Sequence, residues 1–219
     1  GGVSRTLSVI AGKIEGFGAV GYMWGLGSAI SLCSMGRDLY PYDFRGLIQH
    51  EAGGHGFGKL GDEYIYHNAF ISSCSCPCCP HVYEFNIYKA YGWFDNLSLD
   101  GNIHGVPWAH LFFDEQFQNT VDIYEGGYMH TRGVFRSEPN SCMNNNIPYY
   151  SAISRESIVK RIMKYAGMEY SFENFKENDV LTLVPKVETK SVILDNIVSY
   201  PKNQQRPPVY MGDKPNFKK

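Results

Sequence analysis

The sequence predicts an α+β domain, and three observations carry that prediction. Apolar residues at Phe44, Leu47 and Ile48 recur with the spacing of a helix face and lead straight into His50. A second recurrence, at Ile158, Val159, Ile162, Met163 and Ala166, marks a longer helix over about 154–166, with a serine N-cap before it and Gly167 as its terminator. Around both helices lie short apolar runs punctuated by glycine, which read as strands.

In chain order, residues 6–11 read as a buried strand already inside a sheet, so an upstream segment is expected to be missing. The glycine-punctuated stretch 16–24 has the pattern of an edge strand, one that an extended ligand could join through main-chain hydrogen bonds. Residues 28–33 read as another short strand, and 44–56 as a helix bounded by Asp43 and ended by Gly56 and Gly58. Irregular chain is expected over 63–80, a helix over 81–93 and a short buried segment over 108–113. A hairpin follows over 126–136, then a tight turn at 141–146, where three asparagines tolerate left-handed backbone. Two small strands are expected at 180–187 and 191–198. The organisation is one domain over 1–200 with a loosely attached tail over 201–219.

Composition narrows the function classes. A chain of 219 residues can bury a sizeable core. Its net charge of −2 gives no electrostatic footprint for nucleic acid or an anionic membrane. No apolar run reaches the length of a membrane span, and the start is not patterned as a signal peptide. Abundant Tyr, Phe and Gly with only 19% charged residues suit a loop-rich extracellular enzyme. Four of the six cysteines, Cys74, Cys76, Cys78 and Cys79, are packed more tightly than the paired spacing of a zinc ribbon. A surface loop with disulfides or free thiols fits that spacing better than a thiolate cluster.

The chemistry sits in His50-Glu51-Ala52-Gly53-Gly54-His55 and the segment that follows it, through Asp62, Glu63 and Tyr64. A catalytic zinc takes three nitrogen or carboxylate ligands and keeps one position for water. In the usual helical motif the histidines are four residues apart and share one face. Here they are five apart. At about 100° per residue, four steps leave two side chains roughly 40° apart and five leave them about 140° apart. A one-residue bulge, which Gly53 and Gly54 can tolerate, restores convergence. His50 and His55 are then the expected zinc ligands, with Glu51 as general base. Asp62 is the expected third ligand, Glu63 its rival or an acceptor for a ligand histidine, and His104, His110 and His130 are distant alternatives. Tyr128, Arg136 and Tyr149 are candidates to stabilise transition-state charge.

The run from His50 to Tyr64 resembles the motif of the IgA-peptidase family of zinc metallopeptidases, a largely bacterial, exported family with members in gut Bacteroidetes. The resemblance extends to Gly126-Gly127-Tyr128, Gly133 to Arg136, Ser141-Cys142-Met143 and the start of the helix at Ser154. It covers about 45–165 and departs from the family in the extra residue between the histidines. The dipeptidyl peptidase III family is similar in that one respect. The resemblance implies a metzincin-like catalytic domain: a small mixed sheet above a zinc helix, with a methionine turn at Met143 and a C-terminal helix below. It implies a secreted endopeptidase that uses Zn2+ and takes a protein or peptide substrate in an extended conformation. A noncatalytic protein- or glycan-binding module and a zinc amidase with a non-protein substrate are the alternatives.

Overall fold

Two small sheets and a set of short helices build the mixed α+β fold. The computed structural model describes residues 6–12, 19–25, 27–35, 43–73, 82–180 and 208–212. The first sheet contains β1 (Leu7–Gly12), β2 (Ala19–Met23), β3 (Ala29–Ser34) and the two-residue strand β8 (Val209–Tyr210), in the order β1-β3-β2-β8. β1 runs parallel to β3, and β2 antiparallel to it. The second sheet has the order β4-β7-β5, formed by β4 (Ile65–Phe70), β5 (Leu97–Ser98) and β7 (Met129–Arg136), with β6 (Tyr124–Gly127) also paired to β7.

Three expectations about the strands are corrected. β1 is not buried: Leu7, Val9 and Ile10 are 38%, 41% and 53% exposed, because among the described residues β1 is the edge of its sheet, paired with β3 on one side. β2 is not a free edge along its whole length, since β8 pairs with it at Tyr22 and Met23. That pairing also anchors part of the expected loose tail. The Tyr88 hydroxyl donates to the Pro208 carbonyl at 2.8 Å, and Met211 N donates to Met23 O at 2.8 Å. Finally, 63–80 is not irregular throughout, for it contains β4 and a 3-10 turn, Ile71–Ser73. Two register shifts between β4 and β7 erase the regular alternation that would have marked that strand. The four clustered cysteines, all of 181–198 and most of the tail lie outside the described residues.

α1 (Phe44–Ile48) starts at the boundary expected over 42–43, where Asp43 acts as N-cap by accepting hydrogen bonds from Arg45 N and Gly46 N. It runs directly into a π-helical segment, Gln49–Gly58. That segment passes through both glycines expected to end it and stops at Lys59, which adopts the left-handed conformation itself. α2 (Val82–Ala90) and the one-turn α3 (Ala109–Phe112) follow. The β6–β7 hairpin forms where it was expected, and α4 (Cys142–Asn145) is the expected turn, closed by Asn146 at φ 54°.

The long helix, α5 (Ala152–Ala166), begins two residues before the expected serine cap. The reason is distant in sequence: Glu138 Oε1 accepts Ala152 N at 2.7 Å and caps the helix from outside. α6 (Phe172–Asn178) completes the helices. Two apolar clusters hold these elements. One joins Met23 and Ala29 of the first sheet to Phe85, Tyr88, Phe94, Tyr128 and Val134. The other packs Trp108, Leu111, Phe117 and Val121 against Ile153 and Phe175. Among the described residues no helix is long and apolar enough to cross a membrane.

Candidate metal centre

The π-helical segment answers the spacing problem. A hydrogen bond closing five residues back stacks side chains five apart, as the α-helix stacks those four apart. Lys59 N bonds to Gly54 O in this pattern at the segment's end. His50 and His55 therefore share a face, with ring centroids 4.8 Å apart. Close packing explains the glycines. A Cβ on Gly54 would run into Met143 Sδ, and one on Gly53 would lie 2.5 Å from the Tyr150 hydroxyl. Met143 is thus fully buried directly against the turn that separates the histidines.

The chain then returns through Leu60 and Gly61 to bring Asp62 back to both rings. Asp62 Oδ1 lies 2.9 Å from His50 Nε2 and 3.0 Å from His55 Nε2. Each ring's other nitrogen faces a main-chain carbonyl: His50 Nδ1 meets Cys142 O at 2.9 Å and His55 Nδ1 meets Leu60 O at 2.7 Å. A carbonyl can only accept, so each Nδ1 carries a proton and each Nε2 is the atom left to face Asp62, as a lone pair when the ring is neutral. The His55 contact lacks hydrogen-bond geometry despite its length, and His55 Nε2 and Asp62 Oδ2 have no hydrogen-bond partner. Three electron-pair donors thus converge in a site where all three residues are 0% exposed. Without a cation or a shared proton they repel. Bonds of roughly 2.0–2.2 Å to a tetrahedral ion would set such atoms about 3.3 Å apart; the two Asp62 contacts are slightly shorter, and all the ligand atoms lie within 4.8 Å of one another. This buried His50, His55 and Asp62 group could hold a metal ion, and it is the one group of three such ligands among the described residues.

Glu51 lies beside this group. It is completely buried, and neither carboxylate oxygen has a hydrogen-bond partner. Its main chain is tied to the first sheet by Ser31 Oγ, which donates to Glu51 O at 3.0 Å. Gly21 of β2 sits directly over it, where a Cβ would be 3.4 Å from Glu51 Oε2 and 3.2 Å from His55 Cβ. Burial lifts the Glu51 carboxyl to about 8, against the attraction of His50. Burial pushes the Asp62 carboxyl up, and charge and N–H donation from His55 and His50 when those rings are protonated outweigh it and hold it down at about 2.

The other expected site residues are placed elsewhere. Glu63 is a brace instead of a ligand or a histidine acceptor: it accepts from Asn96 Nδ2 at 2.9 Å and from Ser141 Oγ at 2.5 Å. His104 stacks on Phe113, and His110 pairs with Glu156 at 2.9 Å. His130 is buried with its Nδ1 against Tyr128 O at 2.6 Å. Tyr128 packs its ring into the apolar cluster with Phe85 and Phe94. Arg136 donates to the carbonyls of Gly126 and Pro139, and Tyr149 donates to Glu138. Arg136 and Tyr149 thus spend their polar groups away from the metal ligands.

Sequence reasoning missed three groups. Tyr64 stacks on His50 with centroids 6.0 Å apart, and its buried hydroxyl lies near Asp62 without a formed hydrogen bond. Asn96 grips Gly61 from both sides, accepting from its N–H at 2.9 Å and donating to its carbonyl at 2.8 Å. Ser141 joins the Met143 turn to Glu63. Tyr64 was within the motif and could have been found there, whereas nothing near Asn96 marks it. Comparison of the chain with protein-family models and with curated proteins finds no match in either.

Proposed function

We propose that this chain is a secreted zinc endopeptidase of the IgA-peptidase type, with a metzincin-like catalytic domain. One observation carries the reading: three lone-pair donors converge beside a buried glutamate whose oxygens have no partner. The residues suit zinc, because two neutral imidazoles and a carboxylate are its usual catalytic ligand set. His50, His55 and Asp62 would hold it, and the Cys142 and Leu60 carbonyls fix the tautomer and tilt of both rings. When bound, zinc supplies Lewis acidity that makes water a competent nucleophile near neutral pH.

The chain's own part in the reaction falls to Glu51. Its carboxylate takes a proton from the attacking water as that oxygen bonds to the scissile carbonyl carbon. It then delivers the same proton to the departing amine as the C–N bond breaks. Among the described residues β8 pairs only with Tyr22 and Met23 of that β2 edge, and the stretch beside Gly21 is where an extended peptide would add as a strand.

The test measures zinc content and casein hydrolysis together. The wild-type chain is expected to carry about one zinc and to cut casein in a chelator-sensitive way. His55→Ala should lose the metal, and Glu51→Gln should keep it while hydrolysis falls roughly 10²- to 10⁴-fold. A chain that purifies free of zinc and cannot be loaded overturns the proposal. The complete burial of all four residues favours a second reading, a metal-stabilised binding module that cuts nothing. Full zinc loading with no hydrolysis of any peptide or amide substrate would select it.

A further inference from the structure

The far end of the π-helical segment carries a second unusual site. Its terminator, Lys59, has φ 57°, a left-handed conformation that glycine adopts far more easily. The lysine is also only 1% exposed, and its Nζ has no hydrogen-bond partner. The Trp93 ring, 5.0 Å from Nζ, offers a cation–π contact but no acceptor. Across from it, Ser157 of α5 is 7% exposed and its Oγ is likewise unpartnered.

Both groups line one pocket of about 160 Å³, together with Lys160, Arg161 and Lys164. Spacings of three, four and seven residues put these side chains and Ser157 on one face of α5. Lys160 is partly engaged by Glu156 at 2.9 Å, and Arg161 Nε donates to Gly58 O at 3.3 Å. The single acid in the lining, Asp95, is turned to Lys89 at 3.6 Å. Four cationic residues therefore line a cavity in which two buried donors lack an acceptor.

We propose that this pocket binds a small oxyanion, inorganic phosphate or the phosphoryl group of a phosphomonoester. A tetrahedral dianion presents oxygens in several directions at once. It can accept from Lys59 on one wall and from Ser157 and the α5 cations on the other, which a planar carboxylate matches less well. Burial, and then the charge of Arg161, hold the Lys59 ammonium down at about 7; a bound dianion offsets both. Trp93 and Phe94 supply an apolar wall for the organic part of a monoester.

The test is thermal stability of the full chain in increasing sodium phosphate against sodium chloride at equal ionic strength, with direct calorimetric titration. Phosphate should raise the Tm saturably, as a ligand of the folded state does. Lys164→Gln, a surface change, should weaken binding roughly fivefold. Lys59→Met should abolish it while zinc content stays unchanged, and Ser157→Ala serves if that variant fails to fold. Phenyl phosphate distinguishes the sources: tighter binding than the free ion assigns a monoester, and weaker binding assigns inorganic phosphate. The proposal is overturned if phosphate acts no differently from chloride, or if acetate matches it. Phosphate binding that survives both lysine substitutions also overturns it.

Discussion

The metal centre and the pocket beyond Lys59 occupy two ends of the same π-helical segment, and they leave opposite kinds of atoms unsatisfied. At the centre the orphans are mainly acceptors, both oxygens of Glu51, Asp62 Oδ2 and His55 Nε2, with the Tyr64 hydroxyl the one group that can donate. In the pocket they are Lys59 Nζ and Ser157 Oγ, which can donate. Buried polar atoms are nearly always paired, so each cluster asks for an explanation. The sign of the orphaned atoms supplies it, calling for a cation in one place and an anion in the other.

The strongest way to break this contrast is Asp62→Asn. It keeps the shape of the centre and removes its charge, and zinc affinity measured by chelator competition should fall by more than about 100-fold. Unchanged affinity would mean that the two rings do not share a metal with Asp62. Ser141→Ala should act more gently. It cuts the tie from Glu63 to the turn carrying Cys142 and Met143, loosening the carbonyl that orients His50. A loss of about tenfold in zinc affinity is expected, with about 1 kcal/mol of stability from the lost cap on α4.

Stability against pH sharpens the contrast further, because two buried groups away from the ligands titrate with opposite sign. Burial holds Lys59 down at about 7 against a usual 10.5. The unfolded chain binds the extra proton across that window, so the wild type should gain stability as pH rises from 7 toward 10.5, and Lys59→Met should lack that slope. Burial lifts Glu138 to about 7 from 4.5, although Ala152 N and the Tyr149 hydroxyl both donate to it. Here the folded chain holds the proton longer, so stability is lost as pH rises from 4.5 through 7. Glu138→Gln should flatten that fall, which is on the order of 3 kcal/mol. Denaturant melts across pH 4 to 10 read both slopes, and slopes of one sign would contradict the assignments.

The legible parts of the molecule are those with short-range causes. The helix into His50, its Asp43 cap, the β6–β7 hairpin and the Asn146 turn all follow from residues a few positions apart. So does the widened turn between the histidines, although a full π-helical segment formed where one extra residue was expected. The exposure of β1, the identity of β4 and the early start of α5 were not legible. Each depends on a partner far along the chain: the sheet order, the irregular pairing with β7, and the Glu138 carboxylate. Arg136 and Tyr149 were expected near the chemistry because of their residue type, and packing placed their polar groups on other partners, while the Tyr128 ring went into the apolar cluster.

Residues 50 to 62 by themselves pointed to two imidazoles converging, with Asp62 as the first choice of third ligand. One helical turn and a short return bring that carboxylate back, while Glu63 and three distant histidines stayed open as alternatives. Only the tertiary structure decided what Glu63 does, because its partners Asn96 and Ser141 are 33 and 78 residues away. The same holds for the pocket. Lys59 is one exposed-looking cation in the sequence, and it becomes a buried one only when α5 and the Trp93 loop close around it. Local periodicity encodes neighbours along the chain, whereas desolvation depends on everything that packs nearby.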